Sequence, residues 1–270
     1  MDTKLIFGTA LFFLISYSSV AQPMDAHQAG LAGVSSTVIN SFSAFQNPAL
    51  AAFILRPVIS MGAENRFLTK ELQSFLFQAS APLKNSGTAG ISGYRTGSLN
   101  FSVNRIGVHY ARKLSGKLNA GLEIYHLQFK VNSGEYTTVN EWSGAIGLYA
   151  KPLPFLAIGA TLLNPAGFQR KRNKNNLSNP TLSIGTAWSM SSKLFLHMEL
   201  EEKSNGRIIL ATALEYNPNA LLSVRTGFRT APVQPAFGFG LNLQKMKLDA
   251  ACMFHTMLGF YPCISVSREL

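Results

Sequence analysis

Between Leu222 and His255 the chain alternates apolar and polar or small residues, three times in succession. Leu222, Val224, Thr226 and Phe228 alternate with Ser223, Arg225, Gly227 and Arg229. Phe237, Phe239, Leu241 and Leu243 alternate with Gly238, Gly240, Asn242 and Gln244, and Leu248, Ala250, Cys252 and Phe254 with Lys247, Asp249, Ala251 and His255. A period of two belongs to the extended strand, whose successive side chains point to opposite faces. The links, Thr230 to Pro232 and Gln244 to Lys247, are too short for a crossover, so the strands run antiparallel. Strand after strand then carries one greasy face, with almost no helical pattern to cover it. Such faces need a second sheet or lipid. Composition favours lipid: charged residues are 14% of the chain, against roughly 25% in an average soluble protein. The 47% of hydrophobic residues are dispersed, and after residue 21 no apolar run reaches the about 20 residues of a spanning helix. A transmembrane β-barrel spreads its apolar residues in this way.

The one continuous apolar run is explained by export. Lys4 provides a positive start, Leu5 to Tyr17 an apolar stretch, and Ser19-Val20-Ala21 a small-x-small cleavage site. Residues 1–21 read as a secretory signal peptide cut before Gln22, and the run is too short for an uncleaved anchor. No cysteine follows the cut, so lipid attachment there is not expected. The net charge of +11 suits anionic headgroups or acidic partners; no nucleic-acid motif accompanies it. An exported protein can form disulfides, but parity separates Cys252, on the greasy face, from Cys263, on the other. Residues paired across strands share a face, so two free thiols are expected.

From Phe53 onward, fourteen strands are expected, near Ile54–Ala63, Leu72–Ala81, Gly87–Tyr94, Ile106–Lys113, Ala120–Val131, Val139–Ala150, Leu156–Leu163, Thr181–Met190, Leu194–Glu202, Ile208–Tyr216, Leu222–Thr230, Ala236–Leu243, Lys247–Thr256 and Tyr261–Ser267. With the N-terminus periplasmic, the even-numbered turns are short and periplasmic, and the odd-numbered ones include longer outer loops, Arg95–Asn104 and Asn164–Pro180. Short inner turns and longer outer loops are the usual barrel asymmetry. Trp142, Trp188, Tyr216 and Phe228 fall near strand ends, where aromatic girdles sit.

Residues 22–52 carry no strand pattern. Their small residues suit either a disordered arm or a hatch packed against the barrel wall (residues 53–270). Asn47-Pro48 is a good helix start, and Asn47, Pro48 and Ala49 are the hatch or gate candidates. The inward charges Glu123, Glu199, Arg225, Arg229 and Asp249, with Glu201, Glu215, His109, His197 and His255, read as a lumen network bracing strands and hatch, since buried charges need partners. A hydrolase would need a nucleophile beside a base, and no spacing marks such a pair. No catalytic residue, cofactor or metal site is expected, for lack of HExxH, CxxC or a phosphate loop. The basic run Arg170, Lys171, Arg172 and Lys174 falls in an outer loop, solvated or set against lipopolysaccharide phosphates.

Three stretches resemble the PorV/PorQ family of Bacteroidetes outer-membrane barrels, relatives of the FadL long-chain fatty-acid transporters. They are AGLAGVSSTVINSFSAFQNPAL with its Asn47-Pro48-Ala49 box, IGVHYARKLSGKLNAGLEIYHL from Ile106, and LLSVRTGFRT followed by FGFGLNLQKMKLDAA. The resemblance implies a fourteen-stranded barrel with an N-terminal hatch, and a non-enzymatic accessory role in type IX secretion, binding a translocon, cargo or sortase-like partner. FadL-like transport of hydrophobic small molecules is the alternative. The chain is shorter than typical PorV members, with reduced outer loops, and ends in Leu270 rather than an aromatic residue.

Overall fold

The computed structural model describes residues 22–132, 136–168, 180–203 and 206–270. Its strands are β1 (Val58–Asn65), β2 (Gln73–Pro82), β3 (Thr88–Gly97), β4 (Phe101–Lys113), β5 (Leu118–Asn132), β6 (Tyr136–Leu153), β7 (Leu156–Leu163), β8 (Thr181–Ser189), β9 (Leu194–Lys203), β10 (Ile208–Tyr216), β11 (Leu222–Arg229), β12 (Gln234–Leu243), β13 (Met246–His255) and β14 (Gly259–Glu269). All neighbours are antiparallel, and β14 pairs with β1 to close the ring. Closure leaves no sheet edge, which is how an all-β wall satisfies its backbone groups without water.

Alternation sorts the wall into two faces. Ile106, Val108, Leu122, Ile124, Ile146 and Leu148 stand outward and exposed, while Arg105, His109, Glu123 and Tyr125 beside them are buried inside. Trp188, Tyr216 and Phe228 lie outward near strand ends. Trp142 lies outward too, but well inside β6, which runs to 18 residues.

Two expected boundaries are corrected. Arg95–Asn104 is not a long connection: β3 continues to Gly97 and β4 begins at Phe101, leaving a tight turn in which the Ser98 N–H donates to the Phe101 carbonyl (2.7 Å). Gly97 has φ +114°, a backbone state glycine enters without steric cost, so the ladder turns there at once. Likewise β1 starts at Val58 rather than Ile54. The Ile54 N–H is spent on the Ala51 carbonyl (3.0 Å), and Pro57 has no N–H to give.

Residues 22–53 lie inside the ring. They contain α1 (Ala26–Gly30), capped by Asp25, and two short 3-10 turns, Ser43–Phe45 and Pro48–Phe53. Phe42 and Phe45 pack on Leu76, Tyr94, Val103 and Tyr125; Ala26 and Ala29 pack on Ala236, Ala251 and Met253. The core therefore sits between this segment and the inner wall.

Both cysteines are free, Cys252 half-buried on the outward face and Cys263 buried inside. Register sets Cys263 opposite Ala251 and Cys252 opposite Pro262, as the parity argument requires. In detergent, a small apolar maleimide is expected to label Cys252 and to leave Cys263 unlabelled until the protein unfolds. Equal labelling of both in the folded state would contradict the register.

Candidate functional site

The segment crosses the lumen lengthwise. At the mouth formed by the odd-numbered connections, the Met24 N–H donates to Glu64 (2.9 Å) and Arg66 donates to the Gln22 carbonyl (2.9 Å). Glu64 also accepts from Arg66 and Ser74, and from the Tyr261 hydroxyl. Midway, the Glu199 carboxylate accepts four hydrogen bonds, from the N–H groups of Ser35 (2.9 Å) and Ser36 (2.7 Å) and from both their hydroxyls (3.1 and 2.6 Å). At the other end Asn47 is fully buried. Its Oδ1 accepts from the Ala49 N–H (3.1 Å), and its Nδ2 donates to the carbonyls of Ser36 (2.7 Å) and Leu148 (3.0 Å). Capping a turn and bonding the wall at once, Asn47 fixes where the segment meets β6.

Pro48 and Ala49 reach the wall because glycines stand opposite them. A Cβ on Gly147 would collide with Asn47 Oδ1 and come within 2.9 Å of Pro48 Cδ, and one on Gly121 would collide with the Pro48 carbonyl carbon. Gly147→Val is therefore expected to unseat Pro48–Phe53 while leaving the ladder intact. Added protease should cut the segment at least roughly fivefold faster, the low end of overpacking costs, about 1 kcal/mol. Unchanged cleavage would show that the seat yields without strain.

The expected lumen charges face inward but form separate units rather than one network. Arg225, wholly buried, donates to Asp249 (2.6 Å) and to its cross-strand partner Glu215 (3.3 Å). Arg229 donates to Glu201 (3.2 Å). Glu123 accepts from Ser92 (2.6 Å) and from Arg105 (2.6 Å), whose guanidinium lies 3.8 Å from the Tyr125 ring centroid. Sequence reasoning missed Arg105 and Glu64, each one residue beyond an expected strand boundary; parity with His109 and with Gly62 marks both as inward. It also missed Asp25 and His27, for which Asp25 as helix cap was the available signal. Arg170, Lys171, Arg172 and Lys174, like residues 1–21, lie outside the described residues.

His27 joins the segment to the Arg225 unit. Lys247 Nζ donates to His27 Nδ1 (2.9 Å), so the ring proton sits on Nε2, which faces Glu215 at 3.4 Å. Burial, then Lys247 and Arg225, lower the His27 pKa from 6.5 to about 4. Burial, then Asp249, raise that of Asp25 from 3.8 to about 6, against the hydrogen bonds it accepts from Gln28, Asn40 and His27. The two act in opposite senses. The Asp25 contribution to seating is complete below its ordinary pKa and lost as pH rises through about 6; that of His27 is complete above 6.5 and lost as pH falls through about 4. Asp25→Asn is thus expected to leave a segment that loosens steadily from pH 6.5 to 4, read from deuterium uptake by residues 26–30. A flat profile would remove His27 from the seating.

Beside the segment, at the mouth end, is a cavity of about 140 Å³. Tyr94, Tyr125, Leu127 and Leu163 form one wall and Ser183, Glu201, Lys203 and Arg229 the other, with Gln22 and Met24 from the segment between them. A larger apolar groove, about 520 Å³, opens on the outer wall among side chains such as Met61, Phe239, Leu248 and Ile264.

Comparison with solved structures finds this architecture elsewhere. The P. putida toluene transporter TodX superposes with a TM-score of 0.67 at 13% identity, over 92% of this chain and 98% of that one. The chain has the FadL-type barrel fold. A Pseudomonas aeruginosa FadL homologue gives 0.63 at 12% identity, over 92% and 99% of the two chains. The CymD monoaromatic hydrocarbon channel gives 0.64 at 10%, over 91% and 97%. No protein-family model and no curated protein sequence matches. Within this FadL-type barrel, one pair has the look of hydrolase chemistry: Ser80 Oγ lies 3.0 Å from His109 Nε2. Both are buried, and among the described residues His109 Nδ1 has no hydrogen-bond partner. The pair joins β2 to β4 across β3, and the Ser80 hydroxyl also accepts from Gln78 (3.1 Å).

Proposed function

We propose that the protein is an outer-membrane channel for small hydrophobic compounds, with residues 22–53 as its hatch. The observation that carries this reading is the cavity at the mouth, half walled by Tyr94, Tyr125 and Leu127 and floored by the segment. A hydrophobic compound would dwell there before the segment moves. Support comes from the apolar outward face and from two solved structures of the same fold, a monoaromatic hydrocarbon channel and a toluene transporter. In this reading residues 1–21 are a cleaved export signal, the barrel end that carries Leu270 and the even-numbered connections is periplasmic, and Arg170, Lys171, Arg172 and Lys174 meet lipopolysaccharide phosphates.

The accessory role in type IX secretion is the second reading. It is favoured by the tightness with which Glu199 and Asn47 hold the segment, since an adaptor needs no open lumen. Uptake separates the two. Proteoliposomes holding the barrel are expected to take up toluene faster than protein-free vesicles, and Glu199→Ala to accelerate this further. Equal uptake with and without protein, together with recovery of secretion components in a mild-detergent pull-down, would replace the channel by the adaptor.

A further inference from the structure

The groove on the outer wall owes its shape to an alternation of large and small side chains across the strands. Phe239 on β12, Ala250 on β13, Ile264 on β14, Ala63 on β1 and Phe75 on β2 are successive cross-strand neighbours. The two methyl groups sink between larger side chains, and an apolar hollow of about 520 Å³ results. On the outward face of a barrel, the medium that meets such a hollow is lipid. The end of the groove nearer Leu270 is charged. Val266 lines the groove, and Arg268, two residues on, stands in the next outward row with Leu243, Met246 and Ile59. Two strand residues span about 7 Å, so the arginine stem reaches the groove's end. Lys245, in the turn from β12 to β13, lies alongside, its carbonyl accepting from the Glu269 N–H (2.8 Å). Both cations are exposed. Glu269, the neighbouring acid, lies 3.7 Å from Arg56, and neither Arg268 nor Lys245 has an ion-pair partner among the described residues.

An apolar slot that ends in two cations has the chemistry of an anionic lipid in mirror image. We infer that the groove seats an anionic glycerophospholipid such as phosphatidylglycerol, with one acyl chain along Ala250 and Ala63 and its phosphate on Arg268 and Lys245. Resting on the orientation given above, with Leu270 at the periplasmic end, the lipid comes from the periplasmic leaflet. Arginine gives a phosphate paired, charge-assisted hydrogen bonds, and each basic residue near a membrane surface adds to the preference for negative lipid. Phosphatidylethanolamine would fit the slot as well, but it brings its own ammonium to an end already positive. The hollow therefore sets where an acyl chain lies, and Arg268 and Lys245 set which headgroup follows it.

The test is native mass spectrometry of the detergent-purified full chain after exposure to equal amounts of phosphatidylglycerol and phosphatidylethanolamine with the same acyl chains. A single phosphatidylglycerol adduct is expected, exceeding the phosphatidylethanolamine adduct roughly twentyfold. Arg268→Gln and Lys245→Gln should each cut that excess about fivefold and leave phosphatidylethanolamine unchanged. Ala250→Phe, at an exposed position, should fill the hollow and reduce both adducts. Lys151→Gln, exposed on β6 at the same barrel end, should change neither. Gel mobility before and after heating confirms that each variant is folded. Equal adducts of the two lipids, or Lys151→Gln as damaging as Arg268→Gln, overturns the inference. So does a lipid-free dimer that Ala250→Phe dissociates, which would give the groove to a second copy of the chain. None of these readings involves uptake, so the channel stands or falls separately, on toluene.

Discussion

Glu199→Ala is expected to speed deuterium uptake at the Ser35 and Ser36 amides roughly a hundredfold, about 3 kcal/mol of local opening. The carboxylate accepts two N–H and two O–H bonds in a buried site. Removing it deprives four donors of their acceptor, and each unmade bond to a charged acceptor costs about 1.5–3 kcal/mol singly, with incomplete additivity. Glu199→Gln should fall between, because one amide oxygen still accepts while the NH₂ meets donors. Barrel closure does not depend on these bonds, so heat-modifiable gel mobility should persist. Unaltered exchange in the alanine variant would mean that apolar packing alone, through Leu31, Val34 and Val38 against Ala211 and Ala213, holds the segment.

Arg225→Met carries the larger penalty for the whole molecule. Arg225 is entirely enclosed and touches both Glu215 and Asp249. Methionine keeps much of the stem's volume but leaves two inward carboxylates with Lys247, His27 and His197 beside them in place of the guanidinium. Breaking a buried pair from one side costs about 3–5 kcal/mol, and the gel-shift midpoint on heating should drop accordingly. The double variant with Asp249→Leu should recover part of the loss, since an uncharged pair is tolerated where a lone charge is not. A double variant as labile as the single one would indicate that shape, rather than charge, is what Arg225 supplies.

Much of the wall was legible because one signal suffices for it. Period two places Ser223, Arg225 and Arg229 on one face and Leu222, Val224 and Phe228 on the other whatever the strand's partner, and that is where they lie. Glycines on the inner face, Gly147, Gly159, Gly185 and Gly238, read as room, and the segment fills it: Asn47, Ser36 and Gly30 come against them. The site was less legible for two reasons. Strand ends have no periodic mark, so Arg105 and Glu64 fell just outside windows drawn from alternation. Residues 22–53 have no period at all, so the partners of His27 and Ser36 depend on contacts some 160 to 220 positions away in the chain. Only Asn47-Pro48 announced itself, through capping chemistry that is local.

The closing pair of the ring joins β1, which begins five residues after Phe53, to β14, the last strand of all. A rope already lying inside must be surrounded when that final seam forms, or else be threaded through a finished cylinder against the grip of Glu199 and Asn47. Surrounding is the easier route, so maturation of the seam and capture of the rope become one event. Chains stalled before the seam would show β14 and residues 22–53 unprotected together, and the confinement would explain why neither could be protected first.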